Sequence, residues 1–331
     1  MGKTEIESPH AAGRPGLHPM EQLKERLALI TRSIPKGSEI IYIDYPVHSN
    51  GGDILIMKGT EAFFKAYGIR VRARYSVLDF PDRLSVPTGC ILVLHGGGNF
   101  GDLYAKHQLL RESIVERYPG NRIVMLPQTI FYKSELNFGR TAAIFNRHPD
   151  LHLYVRDTLS YEMARKKFKN VKVQMSPDMA HQLYPIDSPG PADAAGTLFF
   201  LRTDIEKTAE QEKLEAASGA RTDSKDWTSL YTAAERKALV LMMKLYRLPG
   251  TQGLLRRIWY RYSQFLVDKA IREFGNYGSI VTSRLHGHIL ACLMDKPSVL
   301  LDNSYGKNTS YYQAWTRDVP GAELSAAEQA N

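Results

Sequence analysis

The sequence predicts an α/β fold of two Rossmann-like lobes, and three observations support this prediction. From Ile40 onward, short apolar runs rich in β-branched residues alternate with segments of helical periodicity, which is typical of parallel α/β architecture. The alternation stops at PIDSPGPADAAG (185–196), a stretch with three prolines and two glycines, and then resumes. A chain of 331 residues is also long enough for two domains.

The first lobe is predicted from apolar runs and from helical segments that end at glycine. Its strand candidates are 39–46, 69–76, 90–96, 122–128, 151–157 and 172–178, and its clearest helices are 53–68 and 104–120. The second lobe has strand candidates at 197–204, 279–284 and 297–304, with helices at 266–275 and 286–296. We therefore divide the chain into a flexible tail (1–35), a first lobe (36–187), a linker (188–196) and a second lobe (197–331) with a basic amphipathic insertion (233–265).

Composition indicates which binding partners and which cellular compartment we expect for this protein. The net charge of +8 favours anionic partners. No apolar run approaches the roughly 20 residues that a membrane span needs, and the N-terminal residues lack the apolar region of a signal peptide. Cys90 and Cys292 both lie inside apolar runs, so we expect buried, unpaired thiols and a cytoplasmic protein.

Ligands of parallel α/β sheets bind beyond the carboxyl ends of the strands, so residues that follow strands are the first candidates for a site. HGGGNFGD (95–102) follows the third strand and contains G-x-G-x-x-G, but the next strand ends at Gln128 instead of an acid, which disfavours a dinucleotide cofactor. We expect Gly97, Gly98 and Asn99 to form a loop whose backbone N–H groups reach an anion or a substrate hydroxyl. A tight turn that merely requires glycine is the alternative.

Two further strand ends carry charged residues with two interpretations each. In SNGGD (49–53), Asp53 is either an ordinary acidic residue at a helix N-terminus or a general base that faces a cleft beside Asn50. In RDTLSY (156–161), Arg156 either pairs with Asp157 or binds a phosphate or carboxylate.

The most specific signal is TSRLHGHILACLMDKP (282–297). A strand delivers Arg284 and His286 to the N-terminus of an apolar helix, where backbone N–H groups already favour an anion and an imidazole can supply a proton. We expect His288, further into the helix, to be a packed residue. Lys307 follows the next strand and is either a third cation of the same crevice or a solvated loop lysine.

Taken in order, six segments resemble the polysaccharide pyruvyl transferase family. The segments are SNGGDILI (49–56), HGGGNFGDLY (95–104), PQTI (127–130), RDTLSYE (156–162), SPDMAH (176–181) and the stretch 282–308. The resemblance implies a GT-B-like, sialyltransferase-like architecture and phosphoenolpyruvate as the donor, with no cofactor. It implies that Arg156, Arg284 and His286 hold this donor, and it extends to Asp53 and Lys307.

The chemistry of this family fits the residue types. Phosphoenolpyruvate carries a carboxylate and a phosphate, which two arginines and a lysine can bind through charge-assisted hydrogen bonds. We expect His286 to act as the acid and Asp53 as the base while two hydroxyls of a sugar add to C2 and phosphate leaves. The sequence contains no D-x-D and no cluster at metal-ligand spacing, so we expect no metal.

The segment 236–262 contains seven Lys or Arg and no Asp or Glu, interleaved with apolar residues. It either lies on the anionic inner face of the cytoplasmic membrane, where a lipid-linked glycan acceptor resides, or covers the second lobe as ordinary helices. No nucleic-acid-binding module accompanies the charge, so we expect no nucleic-acid partner. The rival functions are a GT-B glycosyltransferase that uses a nucleotide sugar and a non-catalytic scaffold.

Overall fold

The computed structural model shows the predicted α/β class. It describes residues 16–191, 194–203, 224–246, 250–303 and 306–325, together with 208, 211, 212, 214 and 248. Within these residues, every pair of neighbouring strands is parallel, and the strands form two separate sheets. The prediction of Rossmann-like parallel α/β structure is therefore confirmed.

The first sheet contains seven strands and has the order β2-β1-β3-β5-β6-β7, with β4 beside β5. The chain reverses direction across the sheet between β1 and β3, which is the position where open α/β sheets form a binding crevice. The elements are α1 (Pro19–Ala28), β1 (Glu39–Ile43), α2 (Gly51–Ala66), β2 (Arg70–Tyr75), β3 (Ile91–Leu94), β4 (Gly97–Gly101), α3 (Ala105–Arg117), β5 (Ile123–Phe131), α4 (Glu135–Phe145), β6 (Leu151–Val155), α5 (Thr158–Lys167) and β7 (Lys172–Met175).

The second sheet has four strands in the order β8-β9-β10-β11. Its last strand lies beyond the predicted elements, and its longest helix begins well before the predicted residue 266. The elements are β8 (Thr197–Phe200), α6 (Ala233–Leu245), α7 (Gln252–Gly275), β9 (Ser279–Thr282), α8 (Leu285–Leu293), β10 (Ser298–Leu300), α9 (Lys307–Tyr311) and β11 (Ala322–Leu324). No described helix is long and apolar enough to cross a membrane.

Two apolar clusters form the core of the part of the chain that the structure describes. One lies between the first sheet and α3, α4 and α5. The other joins α1 and the apolar face of α2 to residues of the second sheet such as Leu198 and Ile280. The two sheets therefore share one apolar cluster, which fixes the elements of the site relative to each other.

The predicted flexible tail is wrong for residues 16–35. Helix α1 and a short 3₁₀ turn (Leu29–Arg32) occupy this segment, and its apolar side chains are buried. These side chains recur three and four residues apart, so they form one apolar face that is stabilised by packing on the core. They are Met20, Leu23, Leu27, Ile30 and Ile34. Residues 1–15 of the predicted tail lie outside the described residues.

The glycine-rich loop predicted at 97–99 is also wrong, because Gly97–Gly101 forms strand β4 along β5. Gly97 and Gly101 have φ angles of 116° and 134°, a region that side chains with a Cβ rarely adopt. A Cβ on Gly101 would lie 1.7 Å from the carbonyl oxygen of Phe131. The glycines thus allow a close pairing of two backbones in place of an open anion-binding loop.

Candidate active site

The structure contains a cavity of about 450 Å³ lined by residues that follow strands of both sheets. Eight of the nine predicted site residues line it, namely Asn50, Asp53, Gly98, Asn99, Arg156, Arg284, His286 and Lys307. The ninth, Gly97, lies next to the cavity, since a Cβ at this position would be 3.5 Å from Oδ1 of Asp53. The predicted residues of the two halves of the chain therefore meet at one place.

Helix α2 begins where rings from the second half of the chain pack on its backbone. A Cβ on Gly51 would lie 2.1 Å from the ring of Trp227, and one on Gly52 would lie 2.8 Å from Nδ1 of His286. Asn50 caps the helix by accepting a hydrogen bond from the N–H of Gly52 (3.0 Å) and donates through Nδ2 to Asp53 (2.9 Å). The two glycines are required by this close contact.

Arg156 follows β6 and is held in the cavity wall by two neighbours. Its Nε donates to Oγ1 of Thr129 (2.9 Å), and its Nη1 forms a buried ion pair with Asp178. Asp157 does not pair with Arg156 but caps α5 by accepting from the N–H of Ser160 (2.8 Å). The guanidinium is therefore fixed by a carboxylate that sequence analysis did not single out.

His286 lies between the two members of this ion pair. Its Nε2 is 3.3 Å from Oδ2 of Asp178 and 3.5 Å from Nη1 of Arg156. Burial alone would raise the pKa of Asp178, but the charges of His286 and Arg156 outweigh it and hold this pKa well below its usual range. A neutral ring accepts from Arg156 and a protonated ring donates to Asp178, so the site provides a partner for either protonation state.

Arg284 forms a two-pronged ion pair with Asp226, with Nε to Oδ1 at 2.8 Å and Nη2 to Oδ2 at 2.6 Å. Asp226 is buried and lies between the strand candidate 197–204 and the basic insertion 233–265, where no element was predicted. Arg202, after β8, lines the same cavity. Neither residue was among the predicted site residues.

Lys307 begins α9 and reaches the cavity from the second sheet. Its Nζ lies 4.8 Å from the centre of the Phe131 ring, at the end of β5. Strand β4 approaches groups of both charges, because Gly97 lies beside Asp53, and a Cβ on Gly98 would be 3.5 Å from Nη2 of Arg156. The surroundings of Arg156, Arg284 and Lys307 are called the cationic side below, and the surroundings of Asp53 and Asp44 the carboxylate side.

The carboxylate side contains two histidines that sequence analysis missed. Nε2 of His48 is 3.6 Å from Oδ2 of Asp53, and Nδ1 of His107 is 2.7 Å from Oδ1 of Asp44. Burial lowers the pKa of His48. Burial would also lower the pKa of His107, but the hydrogen bond and charge of Asp44 raise it above its usual value. Asp44 and His48 follow β1, and His107 lies in the first turn of α3, where the sequence pattern indicates only ordinary elements.

Other predicted residues are structural. His288 is buried and bonded to Oγ of Ser298 and Oγ1 of Thr316, both at 2.9 Å, which confirms that it is packed. Cys90 and Cys292 are buried free thiols, as expected. Across the described ranges, no group of three or more His, Cys, Asp or Glu side chains is arranged to hold a metal ion.

Comparisons with known proteins agree with the resemblance noted in the sequence. The family model described as "Polysaccharide pyruvyl transferase" matches residues 50–305. The chain is 45% identical over 311 residues to EpsO of Bacillus subtilis (strain 168), which carries the name of a pyruvyl transferase, with 93% of this chain and 94% of that protein covered. It is 28% identical over 290 residues to Pyruvyl transferase 1 of Schizosaccharomyces pombe, covering 84% of this chain and 69% of the yeast protein.

The fold also matches a solved structure. An uncharacterised protein of Klebsiella pneumoniae superposes with a TM-score of 0.58 at 19% identity, over 92% of this chain and 99% of that one. At this identity the match supports the fold and carries no information about substrates.

Proposed function

The chain belongs to the polysaccharide pyruvyl transferase family, and from this premise we propose that it transfers the enolpyruvyl group of phosphoenolpyruvate to a sugar of an exopolysaccharide or cell-surface glycan precursor, forming a pyruvate ketal. The observation that carries the proposal is the cavity in which Arg156, Arg284, His286 and Lys307 meet. These residues come from two sheets and suit a small molecule with two anionic groups.

The donor binds on the cationic side of the cavity. Arg156 and Arg284 are each held by a buried carboxylate, Asp178 or Asp226, so their orientation is set before the donor arrives. Lys307 adds a third positive charge. No cofactor takes part in the scheme.

His286 supplies the proton that C3 of the enolpyruvyl group gains, because its ring has a partner in both protonation states. C2 then becomes electrophilic, and a sugar hydroxyl adds to it while a base on the carboxylate side removes the proton. Asp53, which lines the cavity, is the predicted base. A second hydroxyl displaces phosphate and closes the ketal.

We also propose an architecture for the two sheets. We place the two parallel sheets as the two Rossmann-like lobes of a GT-B-like enzyme, with the cavity at their junction. A glycosyltransferase that uses a nucleotide sugar is the alternative that this architecture allows.

Donor trials test the function. Purified protein is incubated with glycan precursor from cells that lack the protein, together with either phosphoenolpyruvate or nucleotide sugars. We expect phosphate release and a pyruvate-sized mass increase with phosphoenolpyruvate only. The matched variants are Arg284→Lys, which keeps the charge but loses the two-pronged geometry and should lower activity at least tenfold, and Arg272→Lys on α7, which should not. Nucleotide release from an activated sugar would contradict the proposal.

We further propose that the outer face of α6 and α7 rests on the inner surface of the cytoplasmic membrane, where a lipid-linked acceptor would be reached. Large apolar side chains on this face are 41–67% exposed and alternate with exposed cations at helical spacing. The apolar ones are Val240, Leu241, Leu254, Ile258 and Phe265, together with Leu248 between the two helices, and the cations are Lys237, Lys244, Arg257 and Arg261.

Vesicle sedimentation tests this contact. We expect the protein to sediment with vesicles that contain anionic phospholipid and not with neutral ones. Leu254→Ser with Ile258→Ser should abolish sedimentation, whereas Leu136→Ser, at an 83% exposed site on α4, should leave it intact. Equal loss of sedimentation in the double variant and in Leu136→Ser would overturn the proposal.

A further inference from the structure

Asp44 occupies a special position directly after β1, beside the point where the strand order reverses. It is 2% exposed and has a φ of 68°, which is uncommon for a residue with a side chain. Its N–H donates to the carbonyl of Tyr75 (2.7 Å), so the backbone is anchored while the carboxylate faces α3 and β4. A strained, buried carboxylate in a crevice is a candidate for a functional role.

Three side chains hold this carboxylate in place. Nη2 of Arg111 donates to Oδ1 of Asn99 (2.8 Å), and Nδ2 of Asn99 donates to Oδ2 of Asp44 (3.3 Å). Oδ1 of Asp44 accepts from Nδ1 of His107 at 2.7 Å. Arg111 is itself buried and lies over the Phe100 ring at 4.8 Å. The result is a fixed chain of hydrogen bonds that ends at an imidazole in the cavity wall.

The geometry leaves one nitrogen of His107 for a ligand. A carboxylate only accepts, so Nδ1 carries the proton and Nε2 has a lone pair. Within the part of the chain that the structure describes, Nε2 has no protein hydrogen-bond partner. His107 lines the cavity next to Tyr104, an exposed aromatic ring whose centre lies 6.5 Å away and whose plane is nearly perpendicular.

We propose that Tyr104 and His107 form the acceptor subsite, in which the Tyr104 ring packs against the sugar and His107, positioned by Asp44, removes the proton of the attacking hydroxyl. This inference rests on the proposed function and replaces Asp53 as the base. It also gives the two sides of the cavity separate tasks, with the anionic donor on one and the neutral sugar on the other.

Asp53 is less suited to this step. It is the third residue of α2, where the helix dipole favours a fixed negative charge, and its carboxylate already accepts from Nδ2 of Asn50. Its neighbour His48 accepts from the N–H of Asn50 through Nδ1 (3.3 Å), with Nε2 directed at Asp53. Both ring nitrogens of His48 are therefore engaged.

The protons balance in this scheme. The acceptor loses two hydroxyl protons when two C–O bonds form at C2. One proton is matched by the C–H bond formed at C3, which turns the methylene group into a methyl group, and the other leaves with phosphate as the C2–O bond to phosphate breaks. His107 takes up the first hydroxyl proton and returns to its neutral form by releasing it to the departing phosphate or to water. The second hydroxyl proton restores His286, which has given its own proton to C3.

Steady-state kinetics with phosphoenolpyruvate and the glycan precursor test the inference. We expect His107→Gln to lower kcat at least 100-fold while phosphoenolpyruvate affinity, measured by calorimetry, changes less than threefold. Tyr104→Ala should raise KM for the acceptor about tenfold and leave KM for the donor unchanged. Lys106→Gln, an exposed neighbour on α3, is the matched control and should behave like the parent protein.

The pH profile separates a base from a structural residue. Asp44, Arg111, Asp53 and His48 are the charged or titratable groups that act on His107. Because the Asp44 carboxylate favours the protonated ring, Asp44→Asn should move the acidic limb of kcat to lower pH, and Asn tolerates the positive φ. The inference is overturned if His107→Gln turns over as fast as the wild-type protein. It is also overturned if the acidic limb of the kcat profile does not move in Asp44→Asn. A wild-type protein that neither binds nor consumes phosphoenolpyruvate instead overturns the proposed function.

Discussion

The two arginines of the cavity illustrate why buried ion pairs occur at binding sites. Asp178 and Asp226 are essentially without solvent exposure, and the attraction of each carboxylate offsets part of the cost of burying its guanidinium partner. Such pairs contribute little net stability compared with apolar packing. They do fix the direction of the guanidinium N–H groups that do not contact the carboxylate. Their main consequence is therefore orientation of Arg156 and Arg284.

The pair with Asp226 leads to a kinetic prediction. Asp226→Asn removes the charge that holds the fork of Arg284, so we expect KM for phosphoenolpyruvate to rise roughly tenfold with a smaller change in kcat. Initial-rate measurements at varied donor concentration check this. Glu273→Gln, which alters the neighbouring pair with Lys225, should leave both constants unchanged. An increase in acceptor KM alone would contradict the assignment of Arg284 to the donor.

Gly52 allows a similarly direct test at the junction of α2 with His286. An alanine Cβ would lie 2.8 Å from Nδ1, so the ring must shift, and we expect kcat to fall at least tenfold. Helix propensity alone favours alanine by about 1 kcal/mol, so activity should fall more than stability does. Gly139→Ala in α4 meets no atom within 4 Å and should be neutral or stabilising. Activity assays and melting curves of both variants distinguish the two effects.

At the residue scale, the rule that ligands gather at strand ends located Arg156, Arg284 and Lys307. It could not locate His107, because the pattern YAKHQLL predicts an ordinary helix surface. It could not locate Asp44 either, because this residue falls within the predicted strand 39–46. Asp226 was missed because its surroundings lack any periodicity. These residues become recognisable only when distant segments are brought together.

Among the elements, β4 shows how glycine decides between a loop and a strand. The sequence GGGN suggests a flexible loop, yet the strand forms because Gly101 can approach the carbonyl of Phe131. The apolar residues of α1 recur at helical spacing, but they follow a polar N-terminal segment, and this led to the prediction of a flexible tail. Tertiary packing on the core decides the outcome for both segments.

Gly101 therefore provides a stability test of β4. An alanine there combines a φ of 134° with a Cβ 1.7 Å from a backbone oxygen, so either β4 separates from β5 or the variant fails to accumulate. We expect a loss of more than about 3 kcal/mol, within the range of severe backbone strain and lost pairing. Gly120→Ala, with no atom within 4 Å, should differ little from the parent. Thermal melts of the two variants, with yield as a second readout, check the prediction.

At the scale of the whole molecule, the sequence predicted two parallel sheets but not how they pack. The apolar cluster that links α2 with Leu198 and Ile280 depends on shape, and no periodicity within one segment encodes it. The same packing places several histidines where water cannot reach them. Burial is the main cause that lowers the pKa of His95 and His181 to about 4 and that of His288 to about 3.

These histidines make folding stability depend on pH. In the unfolded chain they bind protons below about pH 6.5, while in the folded protein they stay neutral, so the unfolded state binds more protons between pH 6.5 and 4. Stability is therefore full above pH 6.5 and falls as the solution is acidified. Each fully buried histidine would contribute a loss of about 2 kcal/mol at pH 5. The carboxylate of Asp178, whose pKa is held low, titrates below this window.

We expect the melting temperature to decrease continuously from pH 7 to pH 5, although His107 acts in the opposite direction because Asp44 raises its pKa. His288→Gln, which keeps an amide between Ser298 and Thr316, should be less stable at pH 7 but lose less between pH 7 and pH 5. Calorimetric melts at three pH values measure both slopes. If the melting temperatures of the two proteins fall equally with pH, His288 takes up its proton in the folded state as it does in the unfolded state. The prediction of a buried ring that stays neutral would then be wrong.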